Sequence, residues 1–444
     1  MQKTQIVLVG LGMSGMCMAM QLLRHGIHDF IFLEKTGTCG GTWAQNIYPG
    51  VECDVESHLY SFSFEPHDWE RVYSHGRDIQ KYLETCFQKY HLENHGFFYE
   101  EVKSIQWQES NQTWRVLSTT YEFECHHVVV SVAPLHVPHR PWEGMHTAEW
   151  TPETSFEGKC VAVVGNAASG VQCLPHIVQQ AKQVYLFQRT PNWIVPKWNR
   201  PYTRWERQCL RVPWIRTLYR NILYVYREFL FMAFWKGSWL GKVLQWISTR
   251  YIQRNTPPHL HHQLIPTYPF GCKRVLLSED YLSVFHRSNV HLVAEPIVAI
   301  KNNVIFTQDG TQYPCEEVVL ATGFQILGSL SRITILGKQG ISLDRDRTRS
   351  SNGVLVDGFP GLFLLLGPFS GSAHTSILLY IEAQVEFILN RIQRRGTTTK
   401  TMDTGKLSSH SFHDMVWSQC NSWYQHDTLY PGFSFQYRQQ LMVH

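Results

Sequence analysis

Several things are missing from this sequence, and each absence removes a class of protein. Its eleven cysteines are an odd number with no CxxC pair, and the nearest two, Cys160 and Cys173, stand 13 positions apart. A thiol relay beside a cofactor needs two close cysteines and a zinc knuckle needs more, so disulfide-reductase chemistry and a structural metal are disfavoured. Most of these thiols are expected as small buried hydrophobes. Charge of one sign is also lacking: 40 Lys and Arg face 36 Asp and Glu, a formal +4 without a basic stripe, so nucleic acid is not an expected partner. In the most aromatic stretch the longest apolar run, Phe229 to Trp235, has seven residues. A spanning helix needs ~18 or more. The N-terminus enters an apolar strand after three polar residues without the parts of a secretory signal, which makes a cytoplasmic protein the expectation.

What is present reads as a globular α/β chain. At 444 residues, 43% hydrophobic and 17% charged, it has material for two or three domains. Gln5 to Val9 is a strand candidate that breaks into Gly10-Leu11-Gly12-Met13-Ser14-Gly15 and an apolar helix, and Phe30 to Leu33 is a second strand ending at Glu34. Cys160 to Val164 repeats the pattern through Gly165-Asn166-Ala167-Ala168-Ser169-Gly170 and a helix, and Val184 to Phe187 leads into Gln188-Arg189-Thr190. A strand, a small-residue turn and a helix N-terminus together offer free amides to a dinucleotide pyrophosphate.

The residues at the second strand tips differ in charge. Glu34 lies 24 residues after Gly10, and Arg189 lies 24 residues after Gly165. A carboxylate there accepts from the ribose hydroxyls, whereas a guanidinium beside a hydroxyl clasps a 2′-phosphate, so the first unit suits an adenosine with a free 2′-hydroxyl and the second NADPH. An arginine alone at a strand end is usually a solvated charge; the equal offset in two units gives Arg189 its role.

After Glu34 the chain reads GGTWAQNIYPGVECDVESHLYSFSF (40–64), and later FQRTPNW (187–193), PFGCKR (269–274), LATGF (320–324), LFLLLGPFSGSAHTS (362–376), CNSWYQ (420–425) and YPGFSFQYR (430–438). These blocks resemble the class B flavoprotein monooxygenases, most closely the Baeyer–Villiger branch, over nearly the whole chain. The resemblance implies two Rossmann-like dinucleotide-binding domains, for FAD and NADPH, with an inserted helical subdomain. It implies that Gly10, Gly12, Ser14, Gly15, Glu34, Thr42, Trp43, Val55 and Tyr60 hold FAD, and that Ala167, Ser169, Gly170, Arg189, Thr190 and Lys273 hold NADPH. Gly165 of the second turn, His146 and Trp150 of the linker, Gly323 and Ile377 are expected at the cofactors as well. Arg274 is implied as the active-site arginine and Asp54 as its carboxylate partner. The implied reaction uses O2 and NADPH to form a C4a-peroxyflavin that inserts one oxygen atom into a small organic substrate, a ketone first and a sulfur or nitrogen centre as the alternative. An NADPH oxidase, or a protein that binds both nucleotides without oxygenating, is the remaining reading.

Some departures stand out. The family's linker fingerprint Phe-x-Gly-x-x-x-His-x-x-x-Trp is two residues shorter here, Trp142 to Trp150, and a hydrogen-bonded interdomain role is the preferred reading of His146. Ser131-Val132-Ala133-Pro134 replaces the usual Ala-Thr-Gly turn. The expected divisions are 1–150 for the first FAD segment and linker, 151–315 for the NADPH domain and 316–444 for the second FAD segment. Within the NADPH domain, an Arg-laced aromatic insertion at about 199–266 is expected to supply core and pocket lining, with peripheral membrane contact as its alternative. Neither substrate identity nor oligomeric state follows from the residues.

Overall fold

The computed structural model describes residues 1–132, 135–325, 328, 330–343, 350–394, 413–420 and 429–442. Two mainly parallel sheets carry the molecule, each centred on an apolar strand that runs into a glycine turn. In the first, β1 (Ile6–Val9) leads through Gly10 into α1 (Met13–Arg24), and β2 (Phe30–Leu33) pairs with it in parallel, Ile6 opposite Phe30 and Val9 opposite Leu33. β3 (His127–Val130) flanks β1 on its other side in the same register, followed by the strand Leu362–Leu364. Because both faces of β1 are covered, it is continuously apolar instead of alternating.

The second sheet repeats this plan. β4 (Met145–His146) stands at its edge, β5 (Cys160–Val164) leads through Gly165 into α2 (Ala168–Gln180), and β6 (Gln183–Phe187) returns beside β5, Val161 opposite Val184. With β7 (Val290–Val293) and β8 (Glu317–Leu320) the all-parallel order is β7-β6-β5-β8-β4. β8 is therefore the counterpart of β3. This moves the expected divisions: β4 precedes 151 and β8 follows 315, yet both complete the second sheet, so that unit runs from Met145 to Leu320.

The stretch 289–315 is divided between two sheets. β7 pairs in parallel with β6, while Ile297–Lys301, Val304–Thr307 and Gln312–Pro314 form a separate antiparallel meander. Its first turn uses Asn302 and Asn303 at positive φ, and its second uses Asp309-Gly310, where Asp309 Oδ1 accepts from Thr307 Oγ1 and the Thr311 amide. A further five-stranded sheet, which includes Ser104–Gln108 and Thr113–Leu117, packs on the first unit around Trp114.

The insertion is helical as expected. Arg204–Arg211 starts at a capping box made by Thr203 and Glu206, Pro213 opens α3 (Pro213–Phe231) at its first position, and α4 (Trp239–Asn255) follows. The last long helix, α5 (Ile377–Gln393), packs in the core with α1. Cys272 and Cys420 stand side by side with Cα atoms 5.9 Å apart, a proximity across 148 residues that short-range cysteine spacing cannot reveal. Seven of the other nine cysteines are buried, as expected. The CNSWYQ block beyond Cys420 and the Ala133-Pro134 turn lie outside the described residues.

Candidate active site

One open cleft of about 1690 Å³ runs between the two glycine turns. Its walls include Gly10, Gly12, Ser14 and Glu34 from the first unit and Gly165, Ala167, Ser169, Arg189 and Thr190 from the second. Thr42, Trp43, Asp54, Val55, Tyr60, Lys273, Arg274, Gly323 and Ile377 also line it.

The two turns match closely. Gly10 (φ +93) donates its amide to Leu33 O at 2.9 Å, and Gly165 (φ +105) donates to Phe187 O at 3.0 Å. A Cβ on Gly15 would sit 2.1 Å from Gly10 O, and one on Gly170 would sit 2.4 Å from Gly165 O, so both glycines seat the helix against its turn behind the cleft wall. Gly12 (φ −74, ψ −168) and Ala167 (φ −76, ψ −168) are the two helix N-caps. At these angles glycine has no conformational advantage, which explains how alanine occupies the middle position without strain. Neither α1 nor α2 has a side-chain cap or an acidic residue in its first turn, so their leading amides remain available to an anion.

At the tip of β2 the buried Glu34 carboxylate accepts from the Leu11 amide at 2.8 Å and from the Thr36 amide and hydroxyl at 2.9 and 2.8 Å. At the tip of β6, Lys273 Nζ donates to Thr190 Oγ1 at 3.1 Å and lies over the Tyr268 ring. Burial pushes the Lys273 pKa below the usual lysine range, and the neighbouring Arg189 charge pushes it further. Two cations held together in this way suit an anion with more than one charge.

Between the turns, Arg274 Nε donates to Asp54 Oδ2 at 2.8 Å and its terminal NH2 reaches the same oxygen. Burial raises the Asp54 pKa, but the Arg274 charge and hydrogen bonds, helped by Arg227 and Lys197, outweigh it and keep the carboxylate ionised. Arg227 of α3 had no place in the sequence reading. It pairs with Glu56 at 2.8 Å and donates to Asp54 O at 2.9 Å, so it fixes the backbone that presents Asp54. An arginine inside an apolar helix, and two glutamates flanking Asp54, were the available signals. Glu52 meets His75 at 3.0 Å and the Lys197 ammonium. Gln172 of α2 ties the same segment down, accepting from Tyr48 OH and donating to Glu52 O, both at 2.9 Å.

The structure does not bring His146 and Trp150 to the cleft. His146 is fully buried; its Nδ1 accepts from the Ala148 amide at 3.1 Å, so Nε2 carries the proton and donates to Gly323 O at 2.9 Å. Burial holds its pKa down despite the Gly323 bond. Trp150 packs edge-on against Phe156 in the second unit's core. The insertion supplies core, with Phe231, Phe234, Ile252 and Leu264 buried, but no residue from 199 to 266 lines the cleft.

The cleft suits FAD beyond its glycine turns. Two buried oxygens of its wall, Asn46 Oδ1 and Thr375 Oγ1, have no partner among the described residues. Trp43 Nε1 donates to Tyr60 OH at 3.2 Å, a fixed aromatic pair in the wall. Residues 7–206 match the pyridine nucleotide-disulphide oxidoreductase family model, although the sequence lacks a close cysteine pair. A Baeyer–Villiger monooxygenase of Pseudomonas aeruginosa is 31% identical over 98% of this chain and 89% of its own length. An FAD-binding monooxygenase of Aspergillus niger is 31% identical over 96% of this chain and 77% of its own. An oxidized steroid monooxygenase bound to NADP superposes with a TM-score of 0.89 at 25% identity, over 100% of this chain and 97% of that one. With its paired glycine turns and full-length similarity, the chain belongs to the flavoprotein monooxygenase family that includes the Baeyer–Villiger enzymes.

Proposed function

We propose that the protein uses FAD, NADPH and O2 to insert one oxygen atom into the C–C bond beside a ketone, giving an ester or lactone. The observation that carries this reading is the Arg274–Asp54 pair on the cleft wall between the two turns. When bound, FAD supplies the hydride-accepting and oxygen-activating chemistry that the side chains lack. Gly10, Gly12 and the α1 amides receive its pyrophosphate and Glu34 its ribose, with Thr42, Trp43, Val55, Tyr60 and Ile377 around the rest. Arg189, Thr190 and Lys273 receive the 2′-phosphate of NADPH on the α2 side. Arg274 holds a positive charge where negative charge develops on oxygen, and Asp54 holds the guanidinium in one orientation. Arg227 supports both through the Asp54 carbonyl.

The test is Arg274→Ala on a panel of ketones and sulfides, with products identified. The variant is expected to keep its flavin and to be reduced by NADPH at a near-native rate, while losing ester by roughly 100-fold or more, as removal of one preorganised charge does. Full ester yield from the variant removes Arg274 from this role. A wild type that oxidises only sulfides moves the protein to heteroatom oxygenation, and one that returns all electrons as hydrogen peroxide makes it an oxidase.

A further inference from the structure

Helix α3 is amphipathic, but inside out. Its charged side faces inward: Arg227 meets Glu56, Arg220 donates to the His58 and Ser61 carbonyls at 2.6 and 3.0 Å, and Glu228 accepts from the Ser434 amide at 3.2 Å. Its outward side carries Trp214, Leu218, Ile222, Val225 and Phe229, spaced by 4, 4, 3 and 4 residues and 46–68% exposed. That spacing is one continuous stripe. On α4, Trp239, Val243 and Trp246 form a second exposed stripe. Trp235 lies between the helices in sequence, packs against Phe433, and through it adjoins the exposed Phe435. Of the 22 large apolar residues exposed on the molecule's described surface, 12 fall between 205 and 246. Single exposed apolar residues are ordinary, but a concentration of this kind marks a surface that meets something.

Charge indicates what it meets. Residues 204–254 hold eight arginines and two lysines against two glutamates and no aspartate. Both glutamates are engaged, Glu206 with Arg200 and Glu228 with Ser434. Lys236, Lys242, Arg250 and Arg254 are exposed and make no ion pair among the described residues. A second copy of this face would set one cationic surplus against another, which disfavours a symmetric dimer. Indoles and aliphatic side chains bordered by unpaired cations suit an interface with acyl chains below and phosphates above. No helix of the described residues is long and apolar enough to cross a membrane, so contact would be superficial.

We propose that the outer face of α3 and α4 docks on an anionic lipid membrane surface. The α3 stripe enters the boundary between headgroups and acyl chains, and the unpaired lysines and arginines meet lipid phosphates. The same helix holds the Asp54 carbonyl through Arg227 on its inner side, so the docked surface lies one helix diameter, ~10 Å, from the segment that presents the Arg274–Asp54 pair.

The test sediments the full chain, as purified with its flavin, with vesicles of phosphatidylcholine alone or mixed with phosphatidylglycerol. The expected result is a roughly 10-fold or greater preference for the anionic vesicles, weakened by salt and accompanied by a blue shift of tryptophan emission. Leu218→Glu combined with Ile222→Glu should abolish binding, and Lys242→Glu combined with Arg250→Glu should remove the anionic preference. Both variants should retain flavin content and NADPH oxidation, which separates loss of docking from loss of fold. Failure of the wild type to bind either vesicle overturns the proposal, as does vesicle binding that survives Leu218→Glu with Ile222→Glu. A concentration-dependent dimer in light scattering that Leu218→Glu dissociates would overturn it in favour of a second copy on the same face.

Discussion

The two glycine-turn units share a backbone and differ at their chemical corners. Ser131 after β3 and Ala321 after β8 occupy the same place, donating their amides to Val9 O at 2.9 Å and Val164 O at 2.8 Å. Ser131 adds a hydroxyl that reaches both Val9 O and Gly10 O at 2.7 Å, where Ala321 has only a methyl group. Opposite charges, Glu34 and Arg189, occupy the tips of β2 and β6. The contrast is confined to a few side chains at strand ends, while the turn itself is a reusable anion cradle.

The largest expected effect would break the equivalence of the turns. Gly15→Ala places a methyl 2.1 Å from Gly10 O, and should cost about 3 kcal/mol or more and most of the bound flavin. Gly12→Ala adopts the angles that Ala167 already has and meets only Gly41 Cα at 3.7 Å. It should melt like the wild type and lose affinity for FAD alone. Thermal unfolding followed beside flavin absorbance separates the two, and equal melting points in both variants would end the parallel between Gly12 and Ala167.

The corner residues should give an intermediate effect. Arg189→Ala is expected to weaken NADPH by about 1.5–3 kcal/mol, as loss of a charge-assisted hydrogen bond does, with NADH and FAD unchanged. Steady-state titration with both nucleotides reads this directly, and a wild type that uses NADH as well as NADPH would erase the contrast between the units. The smallest effect concerns the segment joining them. Burial pushes the Glu52 carboxyl up, but His75 and Lys197 outweigh it and hold the pKa at about 2, against an ordinary 4.5. A pKa depressed by folding contributes stability above the unfolded value and loses it as pH falls toward the folded one. Acid unfolding between pH 4.5 and pH 2 should therefore be shallower in Glu52→Gln by on the order of 1 kcal/mol.

Local patterns were legible in the sequence. β2 and β5 have the expected bounds, and the shared 24-residue offset brought Glu34 and Arg189 to matching corners. Arg274 and Asp54, 220 residues apart, could be paired only through family resemblance, because spacing carries no information about contacts at that range. The Arg227–Glu56 pair and the Cys272–Cys420 proximity were hidden for the same reason. Resemblance implied that the insertion is helical, but a 3.6-residue period cannot say which stripe faces inward. The buried Arg227 answering Glu56 and the half-buried Arg220 answering the Ser61 carbonyl turned α3 the opposite way from an ordinary surface helix.

The chain passes between the two units twice, just before β4 and just after β8, and the His146 Nε2–H and His139 amide bonds to Gly323 O, with the Gln325 amide bond to Val137 O, lace these passages together. Two strands tied together where they cross behave mechanically as one pin. Separate crossings could let the units slide past each other, whereas a single pin leaves rotation about one axis. The shortened linker, with little slack of its own, is therefore expected to let the NADPH half swing over the flavin half like a door on one hinge.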